Sequence, residues 1–171
     1  MSLKCDLIFY GFSGETREFT GNGALQLSII KSAAYNFYSA AHVPAKAHDG
    51  DTSTFYVPQH RNKTIVWIKF YLDGTYLINK VKIINRLDGH FDRLRGTSAY
   101  VYKSDPEARV ALCGTIAATG ITNSLEEQTY ILDCNRASGD MIYLTDSDGY
   151  GPNFSEIEIF ADCKYLRCKT R

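Results

Sequence analysis

A chain of 171 residues is the size of one domain and is long enough to bury a core without metal or disulfide staples. Hydrophobic residues make up 44% and charged residues 22%, which excludes a disordered chain, and no run of about 18 apolar residues is present to span a membrane. Lys plus Arg equals Asp plus Glu at 19 each, so the chain lacks the positive surplus that a general nucleic-acid binder needs.

Strand-like runs recur along the chain and helical periodicity is scarce. The runs are residues 7–12, 65–71, 76–85, 98–103, 129–134, 141–145 and 156–160. Several alternate at period two, as in Val81-Lys82-Ile83 and Glu156-Ile157-Glu158-Ile159, the pattern of a half-buried strand. Turn signals fall between them at Asp73-Gly74, Asp88-Gly89, Ser104-Asp105-Pro106, Ser138-Gly139 and Asp148 to Pro152. Strands spaced this way without intervening helices predict an all-β fold, an antiparallel β-sandwich. Residues 33–51 read instead as a long ordered loop containing His42 and His48, whose expected role is hydrogen bonding within the loop. Trp67, in an apolar run, reads as core. Residues 1–21 are expected to form an N-terminal extension packed on the domain, residues 22–163 the sandwich, and residues 164–171 a basic tail. Residues 1–6 hold no apolar stretch of the signal-peptide kind.

Five cysteines are present, without the spacing of a zinc site. Cys113 and Cys134 lie in strand-like segments and suit a hairpin-closing disulfide. Cys5 and Cys163 pair if the termini meet, which leaves Cys168 over. Together with the glycosylation triplets Asn62-Lys63-Thr64 and Asn153-Phe154-Ser155, this leads to the expectation of a secreted protein.

Two segments stand out chemically. Residues 85–95 hold three arginines, two aspartates and a histidine directly after an apolar strand. One reading is a solvated loop of weak surface ion pairs. The other is a recognition site for a polyhydroxylated ligand, in which guanidinium forks bridge hydroxyl oxygens and Asp88 holds one fork in place. The second segment, Asp49-Gly50-Asp51-Thr52-Ser53, places oxygen ligands around a glycine turn, as a hard cation requires, although from these residues alone a self-capped Asp-Gly turn is the preferred reading.

Arg86-Leu87-Asp88, four further residues and Arg93, with His60 lying 26 positions upstream of Arg86, resemble the sugar-binding pattern of the F-type (fucose-binding) lectins. The likeness extends through Ser32-Ala33-Ala34-Tyr35, the Asp49 loop, residues 67–72, residues 78–86 and the closing segment 155–159, over roughly residues 22 to 163. It implies a discoidin-like jelly roll and a lectin recognising terminal L-fucose on glycans or glycoproteins. His60, Arg86 and Arg93 would then donate hydrogen bonds to the sugar, Asp88 would orient an arginine, and Phe55 or Tyr56 would meet the sugar methyl. Many members carry adjacent cysteines after the Arg-x-Asp. This chain has Gly89-His90 followed by Phe91, so His90 or Phe91 would take the stacking role. The resemblance also implies a structural Ca²⁺ held by Asp49, Asp51 and Glu156, with Lys46 and Ser155 completing the set, partly through backbone oxygens.

The rival reading is a discoidin-like adhesion module that binds protein or phospholipid without a fucose site. An enzyme is least expected. Gly11-Phe12-Ser13-Gly14-Glu15 breaks the nucleophile-elbow pattern at its last position, and Asp88 and Asp92 lie beside arginines that keep both ionised. A homo-oligomer is compatible with the lectin reading, since avidity would depend on it.

Overall fold

The computed structural model describes residues 24–59, 66–117, 129–146 and 151–162. Seven strands form one antiparallel network: β1 (Ala24–Gln26), β2 (Ile29–Ala34), β3 (Trp67–Ile84), β4 (Thr97–Ser104), β5 (Glu107–Thr115), β6 (Thr129–Asp146) and β7 (Glu156–Asp162). They run in the order β1-β7-β3-β6-β4-β5, with β2 also paired to β3. The predicted all-β antiparallel architecture is what forms. The predicted extension 1–21, the run 7–12, the tail 164–171 and the Cys5–Cys163 pair lie outside the described residues, as do His60 and the Asn62 triplet.

Two predicted turns are absent. The runs on either side of Asp73-Gly74 are one strand, β3, and those on either side of Ser138-Gly139 are one strand, β6. The two irregular points face each other. Tyr71 pairs with Met141 and Tyr76 with Gly139, so extra residues on β3 are absorbed as a bulge where both strands bend. Gly139 is required there for close approach, because a Cβ would overlap the Val101 side chain and the Tyr102 carbonyl of β4.

The bend divides each long strand between two layers. Residues 67–72 of β3 and 141–146 of β6 pair with β2 and β4, and β5 extends this layer. Residues 76–84 of β3 and 129–139 of β6 build the other layer with β7 and β1. The inward set on β3 is Ile68, Phe70, Leu72 and Ile78, then Val81 and Ile83. The change of parity falls at the register shift between Ile78 and Lys80, which keeps both halves of the strand facing the core. Trp67 is not a core residue. It alternates with Ile68 and lies half-buried on the outward face.

Cys113 and Cys134 form the expected disulfide, but not within a hairpin. β5 pairs with β4 and not with β6, so the bond ties the edge of one layer to the other. Closing its 21-residue separation restricts the unfolded chain by about 3 kcal/mol.

Residues 33–51 are a loop only in part, since β2 runs to Ala34 and short 3-10 helices form at Ala40–His42 and Pro44–Ala47. The loop is tied to residues 55–59. Tyr38 N–H donates to the Val57 carbonyl (2.9 Å), the Tyr56 hydroxyl to the Asn36 carbonyl (2.9 Å), and Asn36 bonds both the N–H and the carbonyl of Gln59.

Candidate functional site

Three chain segments meet at one end of β3. The Ser155 N–H donates to the Ile84 carbonyl (2.9 Å), which fixes the start of β7 beside the exit of β3, and the Tyr56 N–H donates to the Phe154 carbonyl (3.0 Å). These bonds bring Phe55, Arg86 and Asn153 together.

Arg86 is the centre of the site, at 5% exposure. Its Nε and Nη2 donate to the two oxygens of Asp88 at 2.8 and 2.6 Å, a bidentate pair. The Asn153 amide donates to the Tyr56 carbonyl (2.9 Å) while its oxygen accepts from Arg86 Nη1 (3.1 Å). The guanidinium carbon sits 3.9 Å from the centre of the Phe55 ring, a cation–π contact. Three of the five guanidinium N–H groups are thus committed to protein. The Arg86 hydrogen bonds hold the Asp88 carboxyl below the usual carboxylate range, with the guanidinium charge adding to the effect against partial burial.

Of the two aromatic candidates, Phe55 faces the site. Tyr56 does not: it is fully buried, and its hydroxyl is engaged with the Asn36 carbonyl. Behind Phe55 a second ring line reaches the surface. His42 packs on Phe55 (4.9 Å between centroids) and Tyr38, 67% exposed, meets His42 edge-on (6.0 Å). The His42 Nδ1 is held by Ser39 Oγ at 2.8 Å, within the loop as expected, whereas His48 Nε2 lies 3.0 Å from Ser32 Oγ and so ties the loop to β2.

After Asp88 the chain turns through Gly89 (φ 106°) and His90 (φ 58°) into a 3-10 helix at Phe91–Leu94. His90 is exposed in a left-handed conformation that histidine tolerates better than most residues. The Phe91 side chain lies outside what is described. Arg95 pairs with Asp92 (3.3 Å), whereas the half-buried Arg93 has no ion pair among the described residues.

Asn153 and His42 were not legible as site residues. Asn153 carried only a glycosylation signal, and the structure corrects that reading. It is fully buried and bonded to Arg86, so it is no acceptor for a glycan in the folded chain.

The Asp49 loop gathers oxygens. Around Thr54 Oγ1 lie Asp49 Oδ1 (3.0 Å), Asp49 Oδ2 (2.9 Å), the Asp51 carbonyl (3.1 Å) and the Lys46 carbonyl (3.5 Å), more acceptors than one hydroxyl proton can serve. Glu156 Oε1 accepts the Gly50 N–H at 2.8 Å, and Lys46 Nζ caps Asp49 Oδ2 at 3.0 Å. Burial raises the Glu156 carboxyl, with Asp49 nearby adding to it, while the buried Ser155 hydroxyl has no partner among the described residues. The Asp51 carboxylate instead turns back to Ser53 N–H (2.9 Å) and Oγ (2.6 Å). Among the described residues no three acidic, His or Cys side chains gather closely enough to hold an ion by themselves. An all-oxygen set that includes backbone carbonyls suits a hard cation and not zinc.

No family model matches the chain, and no curated relative matches it. Solved structures do. A fucose-binding module from Streptococcus pneumoniae superposes with a TM-score of 0.64 at 19% identity, covering 84% of this chain and 100% of that one. A fucolectin from striped bass (Morone saxatilis) serum gives 0.60 at 17%, covering 85% of this chain and 51% of that one. A CBM32 module from Clostridium perfringens, solved with GalNAc-β-1,3-galactose, gives 0.63 at 16%, covering 77% and 94%. The fold of this chain is therefore the discoidin-like β-sandwich that such carbohydrate-binding modules and the fucolectin share.

Proposed function

We propose that the chain is a non-catalytic lectin that binds terminal L-fucose on glycans or glycoproteins outside the cell. The observation that carries this reading is the fixed Arg86 fork, locked by Asp88 and Asn153 and set 3.9 Å from the centre of the Phe55 ring, with N–H groups left for a ligand. A donor held in advance loses little freedom on binding, and the Phe55 edge offers an apolar wall beside it. Arg93 and His60 would supply the further donors. The fucose-binding neighbours support the same chemistry. Recognition fits this site better than turnover, because Arg86 keeps Asp88 ionised and unable to serve as a general acid.

A structural Ca²⁺ belongs to the proposal. Asp49, Glu156 and the backbone oxygens of Lys46 and Asp51 would hold it, with Ser155 adjoining. It would clamp the loop that packs behind the sugar site, displacing Lys46 Nζ from Asp49.

Titration with L-fucose, with D-glucose as control, tests the sugar. Arg86→Lys retains the charge but loses the fork, and should weaken L-fucose binding by more than about tenfold. Equal binding of both sugars, or full binding by Arg86→Lys, would overturn the reading. Arg86→Ala is the poorer variant, since it strands the buried Asn153. The adhesion alternative has one observation in its favour, the exposed Phe37, Tyr38 and Leu87 on the same loops. Binding to phosphatidylserine vesicles with no response to L-fucose would select it.

A further inference from the structure

The outward face of the β2-containing layer carries an unbroken line of rings. Trp67 stacks on Tyr143 across the β3–β6 pair (6.2 Å, 23° between planes), and Tyr143 lies 5.1 Å from Tyr102 of β4. Tyr100 continues the line beyond Tyr102, and Tyr35 meets Trp67 edge-on at its other end. None of these rings belongs to the core cluster. Met141, paired with Tyr71 on one side and Tyr102 on the other, is fully buried and also outside that cluster.

Cations sit on this face. Lys69 Nζ lies over Trp67 (4.8 Å) and Tyr143 (5.7 Å), Lys31 Nζ over Tyr71 (5.4 Å), and the Arg109 guanidinium over Tyr100 (5.5 Å). Only Lys69 has an acidic partner, Glu107 at 2.7 Å, while Lys31 and Arg109 have none among the described residues. The face is thus positive on a chain whose net charge is zero. A second copy of the chain is a poor occupant, since a two-fold contact would set these cations against their own equivalents. An added peptide strand would pair with a sheet edge and not with a face. Rings interleaved with cations match a ligand that alternates apolar C–H surfaces with carboxylates.

We propose that this face is a second carbohydrate-binding surface, for linear acidic polysaccharides whose pyranose faces lie along the Trp67–Tyr143–Tyr102 line and whose uronate carboxylates pair with Lys31 and Arg109, Lys69 being held by Glu107. It is independent of the Arg86 site. Trp67 is the only tryptophan in the chain, so its fluorescence reports on this face alone. Titrating the full chain with oligogalacturonate should change Trp67 emission saturably, with affinity falling as salt rises. Arg86→Lys should leave that response intact. Replacing the exposed pair, Lys31→Ser with Arg109→Ser, should weaken it by more than about tenfold. No emission change, an equal response to neutral cello-oligosaccharide, or an undiminished response in the double variant overturns the proposal. Emission that shifts with protein concentration alone overturns it too, and assigns the face to a second copy.

Discussion

Arg86 illustrates what a buried charge needs. A guanidinium at 5% exposure is tolerable only because a carboxylate, an amide oxygen and a ring face surround it. Of these partners Asp88 titrates. Its folded value is depressed, so the stability it contributes is complete above the ordinary carboxylate value and is lost as pH falls through the depressed one. Acid titration of the melting temperature should therefore show a loss below about pH 4 that Asp88→Asn removes. An unchanged acid limb in Asp88→Asn would place the sensitive group elsewhere. Asp88 was legible as an orienting partner because it stands two residues from Arg86. Asn153 was not, because the contact spans 67 positions and nothing local marks it.

At the scale of elements, alternation revealed the strands, whereas the turn residues misled at two places. Asp73-Gly74 and Ser138-Gly139 have turn chemistry, yet each lies inside a long strand at a bend. Gly139 is small because β4 passes against it, a reason visible only in three dimensions. Trp67 was misplaced for a related cause: an apolar run does not say which of its residues face outward when the outward face is itself aromatic. The Asp49 loop offers the test proper to this scale. With Ca²⁺ bound, chelation by EGTA should lower the melting temperature by several degrees, and Asp49→Asn should blunt that difference. Identical melting with and without chelator would argue that the loop is closed by Thr54 and Lys46 alone.

The two layers are joined through shared strands, because β3 and β6 each belong to both. The two layers share no ladder across the bend but are continuous through the backbone of both strands, so opening one pulls on the other at its bends. Cooperativity is therefore built into the connectivity, and native-state hydrogen exchange should find amides of Phe70 and of Ile83 released in the same global event. If instead one half exchanged through a cheaper partial opening, the bends near Tyr76 and Gly139 would be acting as joints between separable foldons.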